Sequence, residues 1–337
     1  MKRPSDYIPP YEITDTIANQ LAKIGEMVGF YSVAIDKAVV PHLRKGNKIQ
    51  TVYSSLAIEN NPLSEEQVSA LLNGKRVLGK QKDILEVQNA FKAYDLLSKL
   101  NPDSEKDFLL AHQVLTDSLI LQSGRYRKSQ VGVYAGDQLV HAGSPASLVP
   151  QLMGQLFSWL KSSKAHPLIK SCVFHYEMIF IHPFEDGNGR LARLWQSLIL
   201  RKWNPVFELL PVENIVFENQ QNYYDAIQSS NLSGSSTAFI EFMLEMISMS
   251  LQEAIQTQSG VKSGVKSGVK TNDLQERILY LIQKNPKITI AQIQEILIKP
   301  RRNIERAISK LKSDGRLSRV GSNRNGYWKV NQSNEEE

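Results

Sequence analysis

Apolar residues recur at helical spacing through most of positions 1–256, and the breaks between runs carry helix stop and start signals. The pattern predicts helices over 15–38, 48–60, 81–99 and 105–121, the last ended by Gly124. Asn60-Asn61-Pro62 stops the second, and Ser64-Glu-Glu-Gln67 reads as a capping box that starts a short helix through Leu72. From Gln130 to His141 the helical period gives way to alternation around an Ala-Gly-Asp turn, which predicts a β-hairpin. Helical spacing returns over 146–162, 167–180, 189–203, 219–230 and 236–257.

The pattern changes again beyond this body. Ser259-Gly-Val-Lys occurs three times through Lys270, and 257–271 reads as a flexible basic linker. Helices are expected over 273–284, 289–297 and 300–313, with Pro300 suited to a first turn. Short strands are expected over 316–320 and 326–330. Three helices and a two-stranded hairpin over 272–330 are the layout of a winged helix-turn-helix, and 331–337 reads as a disordered acidic tail.

Composition changes this picture in two places. Cys172 is the only cysteine of 337 residues, which excludes an intrachain disulfide and a cysteine-based zinc site. The formal charge of +6 is unevenly spread: 257–330 holds 16 Lys/Arg against 5 Asp/Glu, while the body is slightly acidic. That asymmetry points to an anionic partner for the small module. The start of the chain lacks an apolar leader and no stretch is apolar enough for a membrane span, so no membrane partner is expected and the expected location is the cytoplasm.

The densest chemistry lies in His182-Pro183-Phe184-Glu185-Asp186-Gly187-Asn188-Gly189-Arg190, followed by Arg193. A titratable base, a carboxylate, two glycines around an asparagine and two arginines suit the handling of a nucleoside polyphosphate. The segment 182–193 resembles the Fic family signature, H-P-F-x-[D/E]-G-N-G-R-x-x-R, at every position. The likeness spans roughly 1–255, with an N-terminal helical region over 1–100 and a catalytic core over 101–256. It implies a mainly α fold, a Fic-type helical bundle with a β-hairpin flap. It also implies an enzyme that transfers AMP from ATP to a Tyr, Ser or Thr hydroxyl of a target protein or of itself.

Each motif residue fits one task in that reaction. His182 is the candidate general base, because neutral imidazole accepts a proton near pH 7. Asp186 offers a hard oxygen for a Mg²⁺ that bridges phosphates. Phe184, Glu185, Gly187, Asn188 and Gly189 form the expected ATP-binding loop at a helix N-terminus, with Phe184 anchoring it in the core. Arg190 and Arg193, one turn apart, are the expected clamp on the β- and γ-phosphates. By resemblance, Tyr224 and Asn231 line the adenine pocket, whereas Tyr223 reads as core. Gln130, Val131, Gly132 and Val133 resemble the flap that holds the target segment by strand addition. Another phosphate-containing donor, such as UTP, CDP-choline or a phosphorylated protein, stays open.

Ser55-Leu-Ala-Ile-Glu59-Asn60 resembles the family's inhibitory motif, on a helix expected over about 48–60. Ser55 and Glu59 share a helix face. The resemblance implies that Glu59 pairs with Arg190 and keeps ATP in an unproductive pose. In the third helix of the small module, Ile304, Ile308 and Leu311 fall on one face and are expected core. Arg301, Arg302, Arg306 and Lys310 lie largely off it, and Arg324 lies in the wing. These residues are the candidate DNA contacts. A dimer would suit such a module. The other reading, a DNA-binding regulator with a degenerate body, fits less well with an intact His182, Asp186, Asn188, Arg190 and Arg193. Cys172 is read as buried and inert and His175 as structural, and His112 and His141 have no metal-ligand spacing.

Overall fold

The computed structural model describes residues 7–34, 40–135, 138–262, 274–275, 278–279, 281–282, 286, 288–297, 301–320 and 327–331. The chain divides into two compact units, Met1–Ser263 and Gly264–Glu337. The first is mainly α. Its helices are α1 (Asp15–Ala34), α2 (Val40–Ile58), α3 (Glu65–Leu72), α4 (Gln81–Leu96), α5 (Glu105–Leu115), α6 (Val149–Ser162), α7 (Pro167–Ile181), α8 (Asn188–Trp203), α9 (Val212–Glu218), α10 (Gln220–Ser233) and α11 (Thr237–Lys262). One antiparallel hairpin, β1 (Gly132–Ala135) with β2 (Gln138–Ala142), stands between α5 and α6.

Local chemistry explains most of the boundaries. Ser64 and Gln67 close the expected capping box at the start of α3. Ser104 caps α5, and His166 caps α7 ahead of Pro167, whose missing N–H costs nothing in a first turn. α5 stops at Leu115, six residues before the sequence pattern suggests. The Thr116 hydroxyl donates to the His112 carbonyl, and Ser118 adopts φ 58°, which no helix accommodates. α2 begins at Val40, a full two turns earlier than its apolar spacing shows. α11 continues through the first Ser-Gly-Val-Lys repeat. The short α9 was not expected: Val-Glu-Asn-Ile-Val-Phe after Pro211 has a strand-like composition, and packing against α2 and α11 decides for helix.

The α7–α8 hairpin is the centre of the unit. α7 is buried on nearly every side, from Leu168 to Ile181, so its apolar run is almost continuous. Around the hairpin an aromatic cluster closes the core. Phe108 packs edge-on against Trp195 at 5.1 Å and against Phe157 at 5.3 Å, and tilts against Phe184 at 5.6 Å. The indole N–H of the buried Trp195 donates to the Pro102 carbonyl, so the ring costs no unmet donor. Among the described residues no helix is long and apolar enough to cross a membrane.

In the second unit the described residues between 274 and 282 are helical, followed by helices Ile290–Leu297 and Arg301–Ser313. Strands β3 (Leu317–Val320) and β4 (Tyr327–Val330) pair antiparallel. Ile304, Ile308 and Leu311 are buried as expected, with Ile278, Ile282, Ile293 and Trp328. Trp328 fastens the wing: its indole donates to the Ile288 carbonyl at 3.0 Å, and the Arg319 guanidinium covers its ring at 4.7 Å. Arg302, Arg306 and Lys310 are exposed. The side chain of Arg301, all of Arg324, most of the expected linker and the acidic tail lie outside the described residues.

Phe108 touches four aromatic neighbours and is fully buried. Phe108→Ala is therefore expected to destabilise the helical unit by about 3–5 kcal/mol, read as a lower urea midpoint. A midpoint within error of the parent would mean the cluster is not the core of this unit.

Candidate active site

The loop between α7 and α8 begins with a reversal. His182 follows the last turn of α7 in the left-handed conformation, at φ 53° and ψ 62°, its N–H still bonded to the Met178 carbonyl. A non-glycine residue adopts this conformation infrequently and at some cost, so its surroundings must hold it. Here the buried Arg127 does so. It donates to the carbonyls of His182, Ser129, Ser144 and Ile181, and its own N–H bonds the Pro183 carbonyl. One side chain thus joins the end of α7, the loop and both feet of the hairpin. The half-buried His182 is presented on that frame.

The next residues lock the loop from inside. The Asn188 side chain accepts from the Phe184 N–H at 3.0 Å and donates to the Phe184 carbonyl at 2.9 Å. Phe184 is fully buried and stacks on the His112 ring, with centroids 3.6 Å apart. His112 Nδ1 accepts from the Gly124 N–H, so Nε2 carries the proton and donates to the Asp186 carbonyl at 3.0 Å. Burial pushes the His112 pKa down to about 4, which fits this neutral tautomer. Gly187, at φ 83°, starts α8 where a Cβ would meet the Thr116 methyl at 2.9 Å. Phe184 and Asn188 are thus parts of the frame; what the loop offers a ligand is its backbone and the side chains of Asp186, Arg190 and Arg193.

Asp186 is half-exposed and accepts from the Gly187 N–H and from Arg190 Nη2, both through Oδ1. Burial pushes its carboxyl up, but the charge and hydrogen bond of Arg190 and the Gly187 N–H outweigh this and hold it below the ordinary value. Among the described residues no group of three His, Cys, Asp or Glu side chains could hold a metal ion. An ion at Asp186 would draw its other ligands from phosphate oxygens and water, a mode that suits Mg²⁺. Arg190 is buried, and among the described residues its Nε and Nη1 have no hydrogen-bond partner. Buried donors left open cost stability, and a ligand acceptor here would satisfy this pair.

Glu59 pairs with Arg193, not with the Arg190 that the resemblance implies. Arg193 Nη2 donates to Glu59 Oε1 at 2.8 Å and to the Ser55 carbonyl at 2.7 Å, and Nε donates to the Ser55 hydroxyl at 3.0 Å. The reason is position: Arg190 is already drawn toward α4 and Asp186, while Arg193 lies under the end of α2. Burial lowers the Arg193 pKa, but the Glu59 charge more than restores it. The carboxylate also lies over Gly189, where any Cβ would collide with Oε1. Glu59 therefore fills the anion position at the N-terminus of α8.

The outlying residues divide. Tyr224, 44% exposed, donates to the Ile58 carbonyl at 3.2 Å and steadies the end of α2 together with Gln220. Asn231 accepts from the Tyr176 hydroxyl at 3.0 Å. Tyr223 is buried and shares a hydrogen bond with His175, which burial pushes down to about 3. Burial pushes the Cys172 thiol up to about 12, which fits an inert residue. Gln130–Val133 run into β1, and Gly143, past β2, donates to the Val131 carbonyl. The sequence gives neither Arg127 nor His112 a task at the site. Both act through backbone groups, which leave no spacing pattern.

Residues 102–200 match the Fic/DOC family, and residues 271–317 match the family described as winged helix-turn-helix DNA-binding. A crystal structure of a Fic family protein from Desulfovibrio desulfuricans is 37% identical, with a TM-score of 0.73 over 98% of this chain and 100% of that one. Fic-1 from C. elegans shares the fold at 24% identity and a TM-score of 0.63, over 72% of this chain and 73% of that one. Among curated relatives, the proteins named protein adenylyltransferase Fic from Aedes aegypti and Nematostella vectensis are 29% and 31% identical, over 65% and 58% of this chain. The chain spans less than half the length of either, 44% and 45%.

The His112 tautomer sets a pH dependence. Its folded pKa lies below the ordinary value near 6.5, so its contribution is fully present above about pH 6.5 and is lost as pH falls toward 4. His112→Gln is expected to be less stable than the parent by about 1–3 kcal/mol at pH 7.5, with the gap narrowing by pH 4.5. Urea midpoints across that range check it; a gap independent of pH would remove the assignment.

Proposed function

Because the chain belongs to the Fic family, we propose that it is a protein adenylyltransferase that moves AMP from ATP to a hydroxyl side chain of a target protein or of itself. One observation carries this reading: the buried Arg190 leaves two N–H donors open beside the anion position at the head of α8. In this reading His182 takes the proton of the attacking Tyr, Ser or Thr hydroxyl. The hydroxyl oxygen bonds to the α-phosphorus, the bond to the bridging oxygen breaks, and pyrophosphate leaves. Arg190 holds the departing phosphates, and the α8 N-terminus supplies backbone donors to the same end. A Mg²⁺ held by Asp186 would neutralise phosphate charge when bound. Tyr224 and Asn231 are proposed for the base pocket, and the 130–133 edge for docking the target backbone.

Glu59 is proposed as the brake, acting on Arg193. Its carboxylate holds both the guanidinium and the space over Gly189 that a terminal phosphate needs. A second reading concerns the small unit. Its exposed Arg302, Arg306 and Lys310, on the expected recognition helix, support DNA binding through the winged helix.

Two outcomes test these readings. With ATP and Mg²⁺, Glu59→Gly is expected to raise the mass-spectrometric AMP adduct about tenfold or more, since one charge-assisted pair is worth roughly 1.5–3 kcal/mol; His182→Ala should abolish it. An unchanged adduct in Glu59→Gly would end the brake proposal. In gel shifts with the gene's upstream DNA, Arg306→Gln should weaken binding and lower the salt slope by about one. No binding by the parent at low salt would end the DNA reading.

A further inference from the structure

Arg190 has a second acidic neighbour that neither the motif nor the spacing indicates. Glu86, in the second turn of α4, places Oε1 3.7 Å from Arg190 Nη1, and both side chains are almost fully buried. That separation is too long for a hydrogen bond but close for two charges in a dry setting. Glu86 therefore attracts the guanidinium without consuming its hydrogens, in keeping with the two donors of Arg190 that stay open. The carboxylate is itself held. Its Oε2 accepts from Asn61 Nδ2 at 2.8 Å, and Lys82 lies 3.9 Å from Oε1, one turn back on α4. Asn61 is fixed in turn: its amide also donates to the Asp83 carbonyl, and its Oδ1 accepts from the Leu63 N–H.

We propose that Glu86 is a positioning residue for Arg190, a tethered counter-charge that keeps the guanidinium aimed at the donor's phosphates while leaving Nε and Nη1 available to them. This rests on the adenylyl-transfer reading above. Asp186 cannot do this work alone. Among the described residues it is the one carboxylate hydrogen-bonded to Arg190, and it is also the proposed metal ligand. A guanidinium steered by Asp186 alone would lose its anchor to the ion. Glu86 lies on a different helix, with its own tether, and is not drawn into that competition. The same Asn61 follows Glu59 by two residues, so one strut fixes both the clamp arginine and the turn that carries the brake.

The test measures ATP binding by calorimetry in a chain carrying Glu59→Gly and His182→Ala, which removes the brake and prevents turnover. Glu86→Gln keeps an acceptor for Asn61 but deletes the charge. It is expected to weaken ATP binding about fivefold, while Glu86→Asp, which restores the charge, stays within about twofold of the parent. Neither loss should appear once Arg190→Gln is present, because a residue acting through Arg190 has nothing further to lose. Asn61→Ser, which unties the carboxylate from the other side, is the second variant should Glu86→Gln fail to fold. It is expected to weaken binding about threefold, again only with Arg190 intact. Unchanged affinity in these variants, equal losses in Glu86→Gln and Glu86→Asp, or a loss that persists beside Arg190→Gln would overturn the proposal. A parent that binds no ATP would instead overturn the adenylyl-transfer reading.

Discussion

The helical unit is organised by the cost of burying guanidinium groups. Arg127, Arg190 and Arg193 are each at least 95% buried, and a charge taken out of water must be met by close acceptors or it destabilises the fold. Arg127 is met by main-chain carbonyls from three segments, so its burial fixes the relation of hairpin, α7 and loop. Arg193 is met by Ser55 and Glu59, so its burial docks the end of α2. Arg190 is met only in part. Two arginines are satisfied within the chain and hold it together; the third keeps donors in reserve, and the chemistry of the site follows from that difference.

Much of this site was legible in the sequence because its parts are contiguous. A base, a carboxylate, a glycine-flanked helix start and two arginines within twelve residues must share one loop and one helix end. What sequence could not say was which arginine faces which neighbour. Ser55 and Glu59 were marked by their resemblance to the family's inhibitory motif, and the pairing with Arg190 was carried over with it. Positions 190 and 193 differ by three residues on one helix, and only the packing of α2 and α4 decides which of them meets Glu59. Asn188 shows a related limit. Its position in the motif suggests a nucleotide contact, whereas its amide closes a loop around Phe184 and leaves only its backbone to a ligand.

The fold was legible where amphipathic periodicity governs and obscure where tertiary packing does. The capping box at Ser64, the hairpin and the buried face of the third helix in the small unit follow from local rules. The early end of α5 depends on a hydroxyl that takes back a helix carbonyl, and α9 depends on the walls around it. Trp328 is buried where the wing meets the helices, and its single N–H finds the Ile288 carbonyl there.

Glu59 lies one residue past the last residue of α2, and Asn60 after it takes the left-handed conformation, φ 64°. The carboxylate is 40% exposed although the guanidinium it holds is buried. Release of the site therefore calls for no melting of a helix. A rotamer change, with a small adjustment of the following turn, clears the anion position, and such motions run on picosecond to microsecond timescales. Phosphoryl-transfer enzymes take far longer per turnover, about 0.01–1 s for kinases. On the proposed reading of Glu59 as a brake, the gate would equilibrate many times before each chemical event, and the observed rate would report the fraction of time it stands open rather than the speed at which it opens.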